Sequence, residues 1–185
     1  MSTIEYSVDV RVPISVAYNQ WTQFETFPEF MEGVESVKQL TDTRAAWRAE
    51  IAGVKREFET EITEQHPDKR VAWHTLDKPK HSGVVTFHRL DDTVTRITLE
   101  MVYDPEGFVE VAGDWLQLVR MRVEADMRRF KEFIESRGSE TGAWRGDVPN
   151  TPGASAQPHT RPADSDTPPL PGTGYPEGSG GASPA

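Results

Sequence analysis

Three of the five histidines, His74, His81 and His88, recur at intervals of seven residues, a regularity that raises the question of a metal centre or a general base. Metal binding needs three or four ligands converging from one side. These three fall on separate elements, with His74 and His88 expected to face outward, and no helical histidine pair at i, i+4 accompanies them. The chain has no cysteine, which excludes thiolate ligands, disulfides and thiol nucleophiles. No serine stands in a nucleophile-elbow pattern, and no glycine-rich phosphate loop is present. The neighbouring acids Asp91 and Asp92 fall in a tight turn, where solvation accounts for them. Neither a metal nor a cofactor is therefore expected. Tyr103 is the one side chain put forward for acid–base work, because a buried phenol needs a hydrogen-bond partner.

Binding chemistry is better supplied. The stretch WTQFETFPEFMEGVESV, residues 21–37, gathers Trp21, Phe24, Phe27, Phe30 and Met31 around Pro28. These rings serve either as core or as a surface for a guest. Periodicity adds Trp47, Phe58, Trp73, Phe87, Met101, Tyr103, Trp115 and Val119 on inward faces. A pocket so lined suits an aromatic or isoprenoid molecule, with methionine adapting to its shape. A filled core is the competing reading. Arg56 shares a strand face with Phe58, and a guanidinium there must find a partner. It is either a handle for a ligand oxygen or a strand-end group paired with a neighbouring acid or water.

The elements that position these groups follow from the period. Ile4 to Val12 alternates as a half-buried strand, and Pro13 opens a short helix over Ile14 to Thr22. Pro28 forces a bend into a second short helix ending at Gly33, after which Val34 to Leu40 returns to strand. Further strands run over Ala45–Ile51, Val54–Ile62, Arg70–Thr75, Gly83–Leu90 and Val94–Tyr103, with turns at Gly53 and at HPDK, residues 66–69. In Val54–Ile62 one face reads Val, Arg, Phe, Thr, Ile while the other is wholly charged. From about Glu110 to Ser136 the period becomes 3.6, with Ala112, Trp115, Leu116, Val119, Val123, Met127, Phe130 and Ile134 in one stripe. Such a helix would be about 40 Å long. A sheet with one apolar face must cover it. This helix alone has a stripe long enough, so a curved sheet of about six or seven antiparallel strands wraps around it.

Composition changes at Gly138. Residues 138–185 hold nine of the fourteen prolines and nine of the fourteen glycines, too little apolar surface to offset chain ordering. The expected organisation is a folded domain over 2–137 and a disordered tail over 138–185. The net charge of −10 opposes nucleic-acid binding. The Arg120, Arg122, Arg128, Arg129, Lys131 group alternates with Glu124, Asp126 and Glu132, as an ion-paired solvated helix face does. The N-terminus lacks the basic and apolar regions of a signal peptide, and no run approaches the length of a membrane span. A cytoplasmic protein without stable membrane insertion is the expectation.

The succession strand, two short helices, antiparallel strands, long helix resembles the helix-grip fold of the START and pollen-allergen-like (SRPBCC) superfamily. VPISVAYNQWTQFETFPEFM, FETEITEQHPDKRVAWHT, SGVVTFHRLDDTVTRITL and the terminal RRFKEFIE are closest to its polyketide cyclase/dehydrase and coenzyme Q-binding-like branch. The resemblance implies an α+β architecture with a cavity between sheet and long helix. Phe24, Phe27, Phe30 and Met31 would lie at its rim. In the aromatase/cyclase pattern a Trp precedes the proline of the short helices, a Tyr follows it and an Arg stands before the strand turn. Phe27, Val34 and Gln65 occupy those places here, which counts against cyclase chemistry. Carriage of a small hydrophobic molecule (a quinone, polyketide or lipid) is thus the first reading. A cyclase or dehydratase is the second. An adaptor that recruits a protein partner through proline-rich segments such as TPPLPGTGYP is the third.

Overall fold

The computed structural model describes residues 1–108 and 113–150. Strand β1 (Ser2–Val10) leads into helix α1 (Ile14–Trp21) and a 3-10 turn (Phe24–Glu29). Strands β2 (Val34–Gln39), β3 (Arg44–Ile51), β4 (Val54–His66), β5 (Arg70–Thr75), β6 (His81–Asp91) and β7 (Val94–Tyr103) follow, and helix α2 (Trp115–Arg137) closes the succession. The strands form one curved, unclosed antiparallel sheet in the order β1-β7-β6-β5-β4-β3-β2. The fold class expected from the sequence is the one observed.

Local chemistry sets the boundaries. Pro28 lies inside the turn after α1, where its missing N–H interrupts an α-helical ladder and leaves the 3-10 form. The β3–β4 turn has both Ala52 (φ 52°) and Gly53 (φ 82°) in the left-handed region, as a two-residue hairpin of matching twist requires. Register shifts between Ile62 and Glu64 in β4, and between Arg89 and Asp91 in β6, are bulges of the kind that curve a sheet. Helix α2 starts at Trp115, and residues 110–112 of the stretch read from periodicity lie outside the described residues. Gly113 has a left-handed φ of 92°, and the Asp114 side chain caps the helix by accepting from the Gln117 N–H at 3.2 Å. The far end closes as expected on Gly138 (φ 70°), whose N–H bonds the Ile134 carbonyl at 2.9 Å.

The core occupies the concave side of the sheet. Val119, Val123, Met127, Phe130 and Ile134 of α2 are buried against it. Tyr18 from α1 meets Phe87 edge-on at 5.4 Å, and Trp21 meets Phe130 at 5.3 Å.

Residues 139–150, within the stretch expected as tail, lie back on α1 and the β4–β5 turn. The Asn19 side-chain amide donates to Glu140 at 2.9 Å, and the Trp144 N–H donates to the Thr22 hydroxyl at 3.0 Å. The Arg145 guanidinium grips both oxygens of Asp68 at 3.0 and 2.9 Å and sits 5.5 Å from the Tyr18 ring centroid. Val148 then pairs with Gln65 through two backbone bonds of 2.8 Å. Polar side chains of α1, Thr22 and Asp68 hold much of this segment, with Val148 packed against the core, so composition gave no sign of it. The remainder of the expected tail, 151–185, lies outside the described residues.

Candidate functional site

A cavity of about 390 Å³ opens between the concave sheet, the 3-10 turn and α2. That lies in the range of small-molecule sites. Several of its polar groups are held by definable contacts.

One wall comes from β3 and β4. Trp47 and Phe58 are cross-strand partners, and their rings lie parallel (5°) with centroids 6.2 Å apart. The indole N–H of Trp47 donates to the Thr60 hydroxyl at 2.8 Å, which leaves the ring as a nonpolar face. Phe27 of the 3-10 turn meets Trp47 at 5.8 Å and Phe24 at 5.5 Å. These rings, with Met31, border the cavity.

The second wall crosses β5, β6 and β7. Trp73 is paired with Gly83, and Gly83 with Met101. A Cβ added at Gly83 would stand 2.3 Å from the Trp73 ring, so the indole lies across a glycine that no larger residue can replace without displacing it. Val71, Leu99, Val119, Val123 and Met127 add to the apolar lining.

Polar chemistry concentrates where His81 and Tyr103 face each other across the β6–β7 ladder. Their rings stack with centroids 5.4 Å apart, and Phe58 meets His81 edge-on at 5.1 Å. Burial lowers the His81 pKa to about 4, so the imidazole is neutral at ordinary pH. Its Nδ1 lies 3.2 Å from the Pro79 carbonyl, and its backbone N–H donates to the Thr75 hydroxyl at 3.0 Å. Burial also pushes the Tyr103 phenol up, reinforced by the Asp126 carboxylate. The phenol therefore stays protonated, with its O–H 3.6 Å from the Met101 sulfur.

Arg44 pairs with Glu61 at 3.2 Å, and Arg122 with Glu32 at 2.9 Å. Asp126 pairs with Arg129 and accepts from the Glu32 N–H at 3.3 Å, yet burial still raises its carboxyl above the usual range.

Of the residues singled out in the sequence, Phe24, Phe27, Met31, Trp47, Phe58, Trp73, Met101, Tyr103 and Val119 line this one cavity. Four others lie outside the lining. Phe30 packs into α2, meeting Phe130 at 5.1 Å and Phe133 at 5.2 Å. Phe87 is enclosed by Tyr18 and Trp21, at 5.4 and 6.5 Å. Trp115 meets Tyr103 at 6.0 Å from the helix start. Arg56 is half-buried opposite Ala49, beyond the cavity edge. His88 is exposed, and His74 stands 4.0 Å from Glu61. Among the described residues, no group of three or more His, Asp or Glu converges as a metal site would.

Sequence reasoning missed His81 and Asp126 as lining residues. Starting β6 at Gly83 concealed His81, although the alternation Phe87, Val85, Gly83 leads directly to it. Asp126 has the acidic letter of a solvated helix face, yet it adjoins Met127 of the buried stripe and lines the cavity.

Comparison with known proteins places this architecture. A family model described as polyketide cyclase / dehydrase and lipid transport matches residues 10–133. A Streptomyces lincolnensis relative, the uncharacterized 17.2 kDa protein in the melC2-rnhH intergenic region, is 54% identical over 149 residues, covering 80% of this chain and 99% of its own. The Zhui aromatase/cyclase of Streptomyces sp. R1128 aligns with a TM-score of 0.65 at 18% identity, over 77% of this chain and 99% of its own. A Deinococcus radiodurans protein aligns with a TM-score of 0.57 at 25% identity, over 74% and 99%. A START superfamily protein from Mycobacterium smegmatis gives 0.59 at 13%, over 73% and 95%. With the helix-grip sheet, the long helix and the cavity between them in place, the chain belongs to the polyketide cyclase/dehydrase and lipid-transport family of the START-like (SRPBCC) superfamily.

Proposed function

We propose that this protein binds and carries a small hydrophobic molecule of the quinone, polyketide or lipid class in the cavity between sheet and long helix. The family supports a ligand-binding or cyclase role in general. The observation that favours carriage is the lining: a cavity of about 390 Å³ walled by Trp47, Phe58, Trp73 and Met101, with Arg44 and Arg122 already paired to acids. Burial of a guest's apolar surface there supplies roughly 25 cal/mol per Å² before ordering costs. Among the described residues, no helix is long and apolar enough to cross a membrane. A cytoplasmic site of action is part of this reading. Native mass spectrometry of the purified protein, followed by organic extraction, tests it. Carriage predicts one apolar adduct per chain, and a bare mass that no apolar compound shifts contradicts it.

One observation favours a cyclase or dehydratase as the second reading. Tyr103 and His81 place a protonated phenol and a neutral imidazole together inside the cavity. That reading predicts that Tyr103→Phe abolishes turnover of a polyketide-like substrate while the fold survives. The adaptor reading now rests on 151–185, because residues 139–148 are held on the body. Deletion from residue 151 tests it, and unchanged partner capture would remove it.

A further inference from the structure

The walls restrict a guest by size and apolarity, but one group in them restricts its chemistry. The Pro79 carbonyl can only accept, so the His81 Nδ1 at 3.2 Å must carry the proton. The lone pair of the ring is then on Nε2. Phe58 edge-on at 5.1 Å and Tyr103 stacked at 5.4 Å fix the ring plane, and the Thr75 bond to the His81 N–H fixes the strand beneath it. His81 is both buried and part of the cavity lining. From these contacts we infer that the cavity selects an uncharged aromatic guest bearing a hydroxyl group, whose O–H donates to Nε2 of His81. The inference rests on the carrier reading and names the class of molecule carried.

Two features oppose the alternatives. An ether or ketone oxygen is an acceptor and cannot bond Nε2, so that lone pair would stay buried without a donor. An anionic guest would need a cation beside it. Among the described lining residues the arginines are Arg44 and Arg122, already engaged with Glu61 and Glu32. The imidazole does not supply the charge, since burial keeps it neutral down to about pH 4. A phenol brings a donor, no charge and a flat ring for the Trp47, Phe58 and Trp73 walls.

The test uses the full chain at pH 7 with 2-naphthol, 2-methoxynaphthalene and 2-naphthoate, titrated by calorimetry and by quenching of tryptophan fluorescence. The expected order is 2-naphthol tightest, by roughly tenfold or more over the methyl ether, with naphthoate weakest. His81→Phe brings naphthol and ether to within about threefold by weakening naphthol alone. His81→Gln, which keeps an acceptor, retains part of the preference and serves should His81→Phe fail to fold. Equal affinities for naphthol and ether in the unaltered protein overturn the inference. So does a preference that survives His81→Phe. Failure of all three compounds to saturate the protein would instead sink the carrier reading on which the inference stands.

Discussion

Phe87 and Trp73 lie on adjacent strands of the same concave face, yet one is enclosed and the other borders open space. Phe87 meets Tyr18 and Trp21 from α1, and Trp21 in turn meets Phe130 from α2. Every ring there has an edge or face against another, and Tyr18 and Phe130 have no exposed surface. Trp73 rests on Gly83, and the buried stripe of α2 meets the cavity with Val119 and Val123 before Met127. The buried stripe of α2 thus grows from valine at its start to methionine, then phenylalanine and isoleucine at its end. Large side chains close the far half. Short ones leave the near half hollow.

The packed half predicts the largest response to mutation. Phe130→Ala removes a ring with partners on several sides and should cost about 3–5 kcal/mol in urea unfolding. Phe58→Ala on the cavity wall should cost clearly less, because one side of that ring already lacks neighbours. Equal costs would mean the two halves are equally filled.

Acid should act on the hollow half next. His81 has its folded pKa lowered to about 4 from an unfolded value near 6.5. The unfolded chain therefore binds more protons between those values, and stability falls as pH drops through this window. The full difference is on the order of 3 kcal/mol. Urea midpoints at pH 7 and pH 4.5 should diverge more for the unaltered protein than for His81→Phe. A variant equally acid-sensitive would show that His81 is not the titrating group.

Gly83→Ala sharpens the comparison from the other side. The added methyl, 2.3 Å from the Trp73 ring, must push the indole off its seat toward the cavity. Stability should fall by about 1–3 kcal/mol, and affinity for an apolar guest should fall with it. The smallest effect belongs to the polar segment outside both halves. Arg145→Ala breaks the partly exposed pair with Asp68 and should cost about 1 kcal/mol or less, with guest binding unchanged.

Much of this fold was legible in the sequence because its signals are periodic. Strands with one charged face, such as Val54–Ile62, and the 3.6-residue stripe of α2 read directly as elements. Nine of the thirteen proposed binding residues line one cavity for the same reason, since inward alternation on neighbouring strands makes their side chains converge. What escaped was set by partners distant in sequence. Phe30 and Phe87 read like cavity residues until Phe133 and Tyr18 are seen against them. His81 is a cavity group because β6 starts two residues earlier than its apolar pattern. The segment after Gly138 is held by Asn19, Thr22 and Asp68, contacts that no local composition encodes.

The valine end of α2 leaves room for a guest. Titration with the neutral fluorophore N-phenyl-1-naphthylamine, in the unaltered protein and in Val119→Trp, tests it most directly. The account predicts saturation at one fluorophore per chain in the unaltered protein. In Val119→Trp, whose new ring fills the space while the circular dichroism spectrum is kept, that binding should be lost. Equal binding by both proteins would contradict the account, because the fluorophore would then occupy somewhere other than the space between α2 and the sheet.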